Sequence, residues 1–271
     1  MNTVSNLKIG CRLGITSSNI IAYADDLVVL APSPSSLQVL INLINNELVK
    51  LDLLVNENKS KIMIFKSGKS TLLNRQFFIG SKSLDIVESF TYLGYELEYN
   101  LSFNRDIDRR RAKFYSVFNQ VLRKFNGTNT SVKLLLFKQY CLQLYGAELW
   151  FGSKNTKANF KQFSIGYHKA VKKIIGVSYH ESNHYACQEA QMLMLNHFVF
   201  SLKVNFLLKL YRHPCEYIRK NLHFLLISSV FFNEVCALAS VKYNIDNLFD
   251  NDEDAIFARI CYVQNHETPL R

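Results

Sequence analysis

The sequence has no close cysteine pair, no membrane-length apolar run and no acid ahead of Asp25. Each absence narrows what the chain can be. Cys11, Cys141, Cys187, Cys215, Cys236 and Cys261 lie scattered without a Cys-x-x-Cys spacing. Neither a disulfide framework nor a zinc knuckle is indicated, and free thiols in a reducing compartment are expected. The longest apolar run, Phe224 to Phe232, is broken by serines and too short to cross a bilayer, and no signal-peptide core opens the chain. An intracellular protein of nucleus or cytoplasm, not secreted and without a membrane partner, is the expectation. The Asn-x-Ser/Thr triplets at Asn58, Asn100, Asn126 and Asn129 should then carry no glycan. Internal repeats and low-complexity tracts are absent as well. At 271 residues and 48% hydrophobic content, the chain can build one large globular domain or two modest ones.

Acids are scarce in one place above all. Residues 101–175 hold fifteen Lys and Arg against Asp106, Asp108 and Glu148, whereas the rest of the chain holds seventeen basic and nineteen acidic residues. The net charge of +10 therefore belongs to this segment. Such an imbalance repels itself without an anion, so a nucleic-acid partner is favoured over a merely solvated helix face.

Two runs of β-favouring residues, Ile20 to Tyr23 and Leu27 to Ala31, flank Asp25 and Asp26. The stretch is too short for an ordinary helix, and a β-hairpin with the carboxylates at its turn is expected. Arms apolar on both faces predict burial under helices with the tip reaching a surface. Two carboxylates about 5 Å apart repel by roughly 1 kcal/mol in water and about 3 kcal/mol when half-buried. A bound Mg²⁺ would remove that cost, since it accepts one or two carboxylates and completes its shell with water and phosphate. An exposed Asp-Asp turn without a ligand is the alternative.

Tyr23-Ala24-Asp25-Asp26 between apolar strands resembles the Tyr-x-Asp-Asp box of reverse transcriptases, and alanine in second place is similar to the non-LTR retrotransposon branch. Asn56-Glu57-Asn58-Lys59-Ser60-Lys61-Ile62-Met63-Ile64-Phe65 resembles the family's next motif, an Asn-x-x-Lys-Ser/Thr turn entering a strand. Phe90-Thr91-Tyr92-Leu93-Gly94 resembles its primer-grip hairpin, and Leu144-Tyr145-Gly146-Ala147-Glu148-Leu149-Trp150 a box beyond the polymerase domain. The resemblance implies an α+β fold, with a partial polymerase palm of antiparallel hairpins and a packed helix, then an all-helical thumb-like region. It implies two-metal nucleotidyl transfer with Mg²⁺ (or Mn²⁺), Asp25 ligating and Asp26 supporting the metals. Lys59 would lie near the triphosphate and protonate departing pyrophosphate, or else be a solvated loop lysine. Tyr92 and the Gly94 backbone would approach the primer, although Tyr92 and Leu93 read equally as packing residues. Arg105, Arg109, Arg110, Lys113 and Lys124 would contact an RNA template paired with an RNA–DNA or DNA primer duplex, and deoxynucleoside triphosphates would be substrates. The family uses a further aspartate on a strand before this hairpin, and fingers that hold template and nucleotide. With no acid before Asp25 the resemblance begins partway through a palm, and the chain alone is expected to be inactive.

In chain order, residues 1–19 predict a short strand. Leu37, Leu40, Ile41, Ile44, Leu48 and Leu51 predict a helix after a cap-rich turn, Lys61 to Lys66 a strand, and Phe77 to Tyr95 short strands turning at Gly80-Ser81 and Gly94. Helices are expected over Ser102–Phe125, about Ser131–Trp150, Thr156–Ile175 with a stop at Gly176, Gln188–Arg212 and Cys215–Ser240. The acidic tract Asp250–Asp254 reads as a loop or frayed end. This organisation predicts a palm part over 1–100, a basic thumb-like region over 101–176 and a C-terminal helical region over 177–271. Two other functions compete: a non-catalytic RNA or RNA–DNA duplex-binding module, and a zinc hydrolase. The latter rests on His180-Glu181-Ser182-Asn183-His184, which matches His-Glu-x-x-His but carries poor helix formers.

Overall fold

The computed structural model describes residues 9–13, 16–65, 75–150, 156–228, 230–245, 248–249 and 253–266. The fold is of the expected mixed class, short strands followed by helices, and divides into two compact units, Met1–Leu101 and Ser102–Arg271.

The first unit is built from tight hairpins. Strands β1 (Arg12–Leu13) and β2 (Thr16–Ser17) pair antiparallel and lead into β3 (Ile20–Tyr23) and β4 (Asp26–Val29), which pair from Ile20↔Val29 to Tyr23↔Asp26. Helix α1 (Pro34–Val49) starts where Ser33 Oγ accepts from Ser36 N and Pro34 fixes the first turn. It ends two residues before Leu51, which the apolar spacing had included and which lies exposed. Strand β5 (Lys61–Ile62) runs parallel to β7 (Lys82–Ile86), and β7 is antiparallel to β6 (Phe77–Ile79), so the order is β5-β7-β6. Strand β5 is shorter than the expected Lys61–Lys66, since Met63, Ile64 and Phe65 follow it without strand pairing, and Lys66 lies outside the described residues. Gln38 of α1 seals the outer edge of β6, donating to Phe78 O at 2.8 Å and accepting from Phe78 N at 2.9 Å. Beneath that seal Ile41, Ile62, Phe77, Ile79 and Leu84 form the core. Strands β8 (Ser89–Tyr92) and β9 (Tyr95–Glu98) make the last hairpin.

The β3–β4 arms are not buried as expected. Ile21, Tyr23 and Leu27 are 48%, 64% and 38% exposed. Among the described residues the two strands pair only with each other, and since Leu27 pairs with Ala22 while Ile21 and Tyr23 point the other way, the ribbon is exposed on both faces towards its tip.

The second unit is helical. Helix α2 (Asn104–Lys124) and helix α4 (Thr156–Ile175), the latter ending at Gly176 as expected, enclose an aromatic core of Phe114, Phe118, Phe137, Phe163 and Tyr167. The ring centroids of Phe114 and Phe163 lie 5.3 Å apart, edge to face. The single helix expected over Ser131–Trp150 is broken. Helix α3 (Thr130–Leu136) passes into a π-turn at Phe137–Cys141, and a 3₁₀ turn follows at Ala147–Leu149. Gly146 stands at the break with φ +94°, a conformation that costs glycine little and L residues much.

The next expected helix is also interrupted. Helices α5 (Asn183–Glu189) and α6 (Leu195–Tyr211) are separated at Ala190–Met194, where Gln191 takes φ +50°. Gln264 fills this break from helix α9 (Glu253–His266), donating to Met192 O at 2.9 Å and accepting from Met194 N at 2.7 Å. The Cys215–Ser240 stretch forms two helices, α7 (Glu216–Ser228) and α8 (Val230–Tyr243). Leu207, Val235 and Ile260 centre a second core. Asp250 to Asp252 lie outside the described residues, and Glu253 and Asp254 open α9 where a loop or frayed end was expected.

Candidate active site and nucleic-acid interface

The acid pair stands on a two-residue turn of the first unit. Tyr23 and Asp26 are the last paired positions, so Ala24 and Asp25 alone make the loop, and Asp26 opens β4. Ala24 takes φ +51°, as the first loop position of a type II′ turn requires. Both carboxylates project from this end and are exposed. At the base, Leu30 N donates to Asn19 O at 2.8 Å and Asn19 Nδ2 to Ile9 O at 2.7 Å. These bonds hold the hairpin to the strand segment before it and fix where the tip points.

Lys59 lies in the turn before β5 and is exposed. Asn56 organises that turn, its side chain accepting from Lys59 N at 3.2 Å and its carbonyl from Ser60 Oγ at 2.9 Å. The asparagine and the serine of the Asn-x-x-Lys-Ser motif are thus explained by turn geometry, and the lysine is left pointing to solvent. In the β8–β9 hairpin Leu93 and Gly94 both have positive φ, 45° and 82°, the pattern of a type I′ turn. Gly94 suits that turn and Leu93 is strained in it. Tyr92 is half-buried at the strand end.

On α2 the exposed positions Arg105, Arg109, Lys113, Ser116, Gln120 and Lys124 follow one another at spacings of three or four and form one stripe. Arg110 does not belong to it. Its side chain is 11% exposed, its Nε lies 3.6 Å from Asp106 Oδ1, and its guanidinium sits 5.5 Å from the Tyr145 ring centre. Asp106, fully buried in the first turn of α2, also accepts from Arg109 Nη2 at 3.1 Å and from Trp150 Nε1 at 2.9 Å. The Leu144–Trp150 box is therefore a clamp: Gly146 turns the chain, Tyr145 lies against Arg110, and Trp150 closes on the buried aspartate. Arg110, expected on the nucleic-acid face, serves this clamp.

Sequence reasoning named no residue of α4 as a contact, yet Lys161, Lys169 and Lys173 are exposed along it. Asn159 Nδ2 donates to Asp108 Oδ2 at 3.0 Å, and a side chain at Gly166 would run into the Tyr115 hydroxyl. Contacts that advance together show α4 running beside α2 in the same direction. The signal was present in the spacing of the α4 lysines but needed the α2 pairing to acquire meaning.

Residues 1–97 match the family described as Reverse transcriptase (RNA-dependent DNA polymerase). This segment is similar to reverse transcriptases. A transposon-derived protein of Caenorhabditis elegans is 23% identical over 163 residues, covering 58% of this chain and 56% of that protein. The chain thus spans just over half the length of the relative it matches. Within the matched segment fall the Asp25–Asp26 tip, the Lys59 turn and the Leu93–Gly94 turn.

Reverse transcriptases depend on a divalent metal, and the donors at the tip fit one by their own chemistry. Two exposed carboxylates suit one Mg²⁺ or Mn²⁺ that keeps water and takes phosphate oxygens. Among the described residues no group of three or more His, Cys, Asp or Glu side chains converges, so further protein ligands for a second ion are not gathered here. The zinc-hydrolase alternative fails on geometry. His180 and Glu181 lie in a turn, and Ser182 is the cap of α5, accepting from Tyr185 N at 2.9 Å. His184 instead meets Gln264 O through Nε2 at 2.5 Å, so the two imidazoles do not share a helix face. Among the described residues no helix is long and apolar enough to cross a membrane, and all six cysteines are free.

Proposed function

We propose that the chain carries part of the palm and the following helical region of a non-LTR retrotransposon reverse transcriptase, an RNA-directed DNA polymerase. The observation that carries this reading is the exposed Asp25–Asp26 tip of the Tyr-Ala-Asp-Asp hairpin, inside a segment that matches the family. Asp25 and Asp26 would hold Mg²⁺ or Mn²⁺, which supplies Lewis-acid stabilisation of phosphoryl charge. The reaction joins the primer 3′ oxygen to the α-phosphorus of a deoxynucleoside triphosphate and releases pyrophosphate. Lys59 donates a proton to that leaving group, and the Leu93–Gly94 turn, with Tyr92 behind it, holds the primer end in line. Arg105, Arg109, Lys113 and Lys124 bind phosphates of the RNA template and the RNA–DNA or DNA primer duplex, joined by Lys161, Lys169 and Lys173.

The absence of a third converging ligand among the described residues favours a second reading for the chain acting alone, that of a nucleic-acid-binding module without catalysis. Extension of a labelled primer on an RNA template with Mg²⁺ and four deoxynucleoside triphosphates separates the two. Extension that Asp25→Ala/Asp26→Ala abolishes assigns the chemistry to this chain. Salt-sensitive duplex binding without extension leaves the binding function and requires a carboxylate from another polypeptide or a longer one.

A further inference from the structure

The loop between α4 and α5 carries an exposed aromatic pair that the polymerase motifs leave unused. Tyr179 is 71% exposed, and its ring centroid lies 3.7 Å from that of exposed His180, with the planes inclined at 37°. Exposed loop aromatics usually lose conformational freedom on binding, which costs affinity. Here the backbone beneath the rings is already fixed. Lys172, 7% exposed, donates from Nζ to Tyr179 O at 3.1 Å and to Glu181 O at 2.5 Å. His180 N donates to Ser178 Oγ at 3.3 Å. Charge-assisted bonds from a buried ammonium to two carbonyls of one loop hold it more firmly than neutral bonds would.

The pinned loop also lies at a particular place. Lys172 is flanked on α4 by exposed Lys169 and Lys173, the last cations of the stripe that begins at Lys161. We propose that Tyr179 and His180 form a stacking platform for an unpaired nucleobase, at the end of a strand whose phosphates run along α4. The proposal rests on the nucleic-acid reading of the cationic helices. Aromatic faces beside a cationic track are the recurring chemistry of single-strand recognition, because every base offers a π-face. Exposed Glu181 fits the same occupant: a carboxylate repels phosphate but accepts a hydrogen bond from an exocyclic amino group of a base.

The test compares the full chain with Tyr179→Ala and Tyr179→Phe on a blunt RNA–DNA duplex and on duplexes with a short RNA or DNA overhang. The overhang carries a fluorescent adenine analogue. Tyr179→Ala should weaken overhang binding about ten-fold and abolish quenching of the analogue, with blunt-duplex affinity unchanged and Tyr179→Phe close to wild type. Preference for the RNA or the DNA overhang then identifies the strand. Wild-type binding to both probe types with equal overhang affinity in Tyr179→Ala overturns the platform alone. Failure of the wild type to bind either probe overturns the nucleic-acid reading and the platform with it.

Discussion

The two compact units divide recognition and packing unequally. The first holds the motifs that match a family, yet its core is a handful of residues around Phe77 and Leu84, and its signature hairpin is exposed towards the tip. The second lies outside the family-matched segment, yet buries two extended clusters, one of them crowded with aromatic rings. The chemistry-bearing residues thus sit on a lightly supported scaffold, and most of the buried apolar area serves a region that presents charge. A motif tells where reacting atoms lie; it says little about where folding energy is stored.

That contrast can be broken most directly by truncation. Phe163→Ala, at a fully buried position, should cost about 3–5 kcal/mol through reduced burial and a residual cavity. Ile21→Ala on the open hairpin should cost well under about 1 kcal/mol. Thermal unfolding of both variants checks the pair, and comparable destabilisation would mean that the hairpin face is covered in solution.

A second effect belongs to the helical unit alone. His168 is 4% exposed, and burial, with Lys172 beside it, pushes its pKa down from 6.5 to about 4. The unfolded chain therefore takes up the proton first as pH falls. Stability should drop between about pH 6.5 and pH 4, by roughly 3 kcal/mol at the acid end. Denaturant titrations at the two pH values should show this slope for the wild type and a shallower one for His168→Gln. An identical slope in the variant would assign the acid sensitivity to other groups.

The cationic stripes give a smaller effect, in binding instead of folding. Arg105→Glu with Lys113→Glu should weaken duplex affinity for every sequence and flatten its salt dependence by about 0.9 for each phosphate no longer neutralised. Arg110→Glu is a contrasting control, because it breaks the Asp106 clamp and should appear as a lowered unfolding midpoint. An unchanged salt slope in the double variant would exclude this face of α2. The smallest effect concerns the tip. Ala24→Gly relaxes a positive-φ position and should change stability by no more than about 1 kcal/mol. A large loss of stability would show that the Ala24 methyl is packed.

Much of this organisation was legible from local pattern. The Ile20–Val29 hairpin follows from β-favouring runs around two turn-forming aspartates, and the Thr156–Ile175 helix from apolar spacing with a glycine stop. What escaped was set by partners distant in sequence. Nothing near Arg110 announces that it will turn inward, because its place depends on Asp106 being closed by Trp150, forty-four residues from that aspartate. The break at Gly146 was hidden by a helical apolar period that continues across it, and the π-turn before it is invisible to a fixed 3.6-residue repeat. The openness of the hairpin arms could not be read from their composition, since apolar residues on both faces state a need for cover without supplying it.

The reach of Gln264 into the break between α5 and α6 bears on how the molecule is made. Met192 and Met194 precede it by seventy-two and seventy residues. During synthesis their backbone groups must remain hydrated or find temporary partners until residue 264 has left the ribosome. The middle of the helical unit is thus completed only by a segment some seventy residues downstream, a long-range closure that slows folding. Nascent chains shorter than this should expose the α5–α6 junction to proteases and chaperones, and longer ones should abruptly protect it.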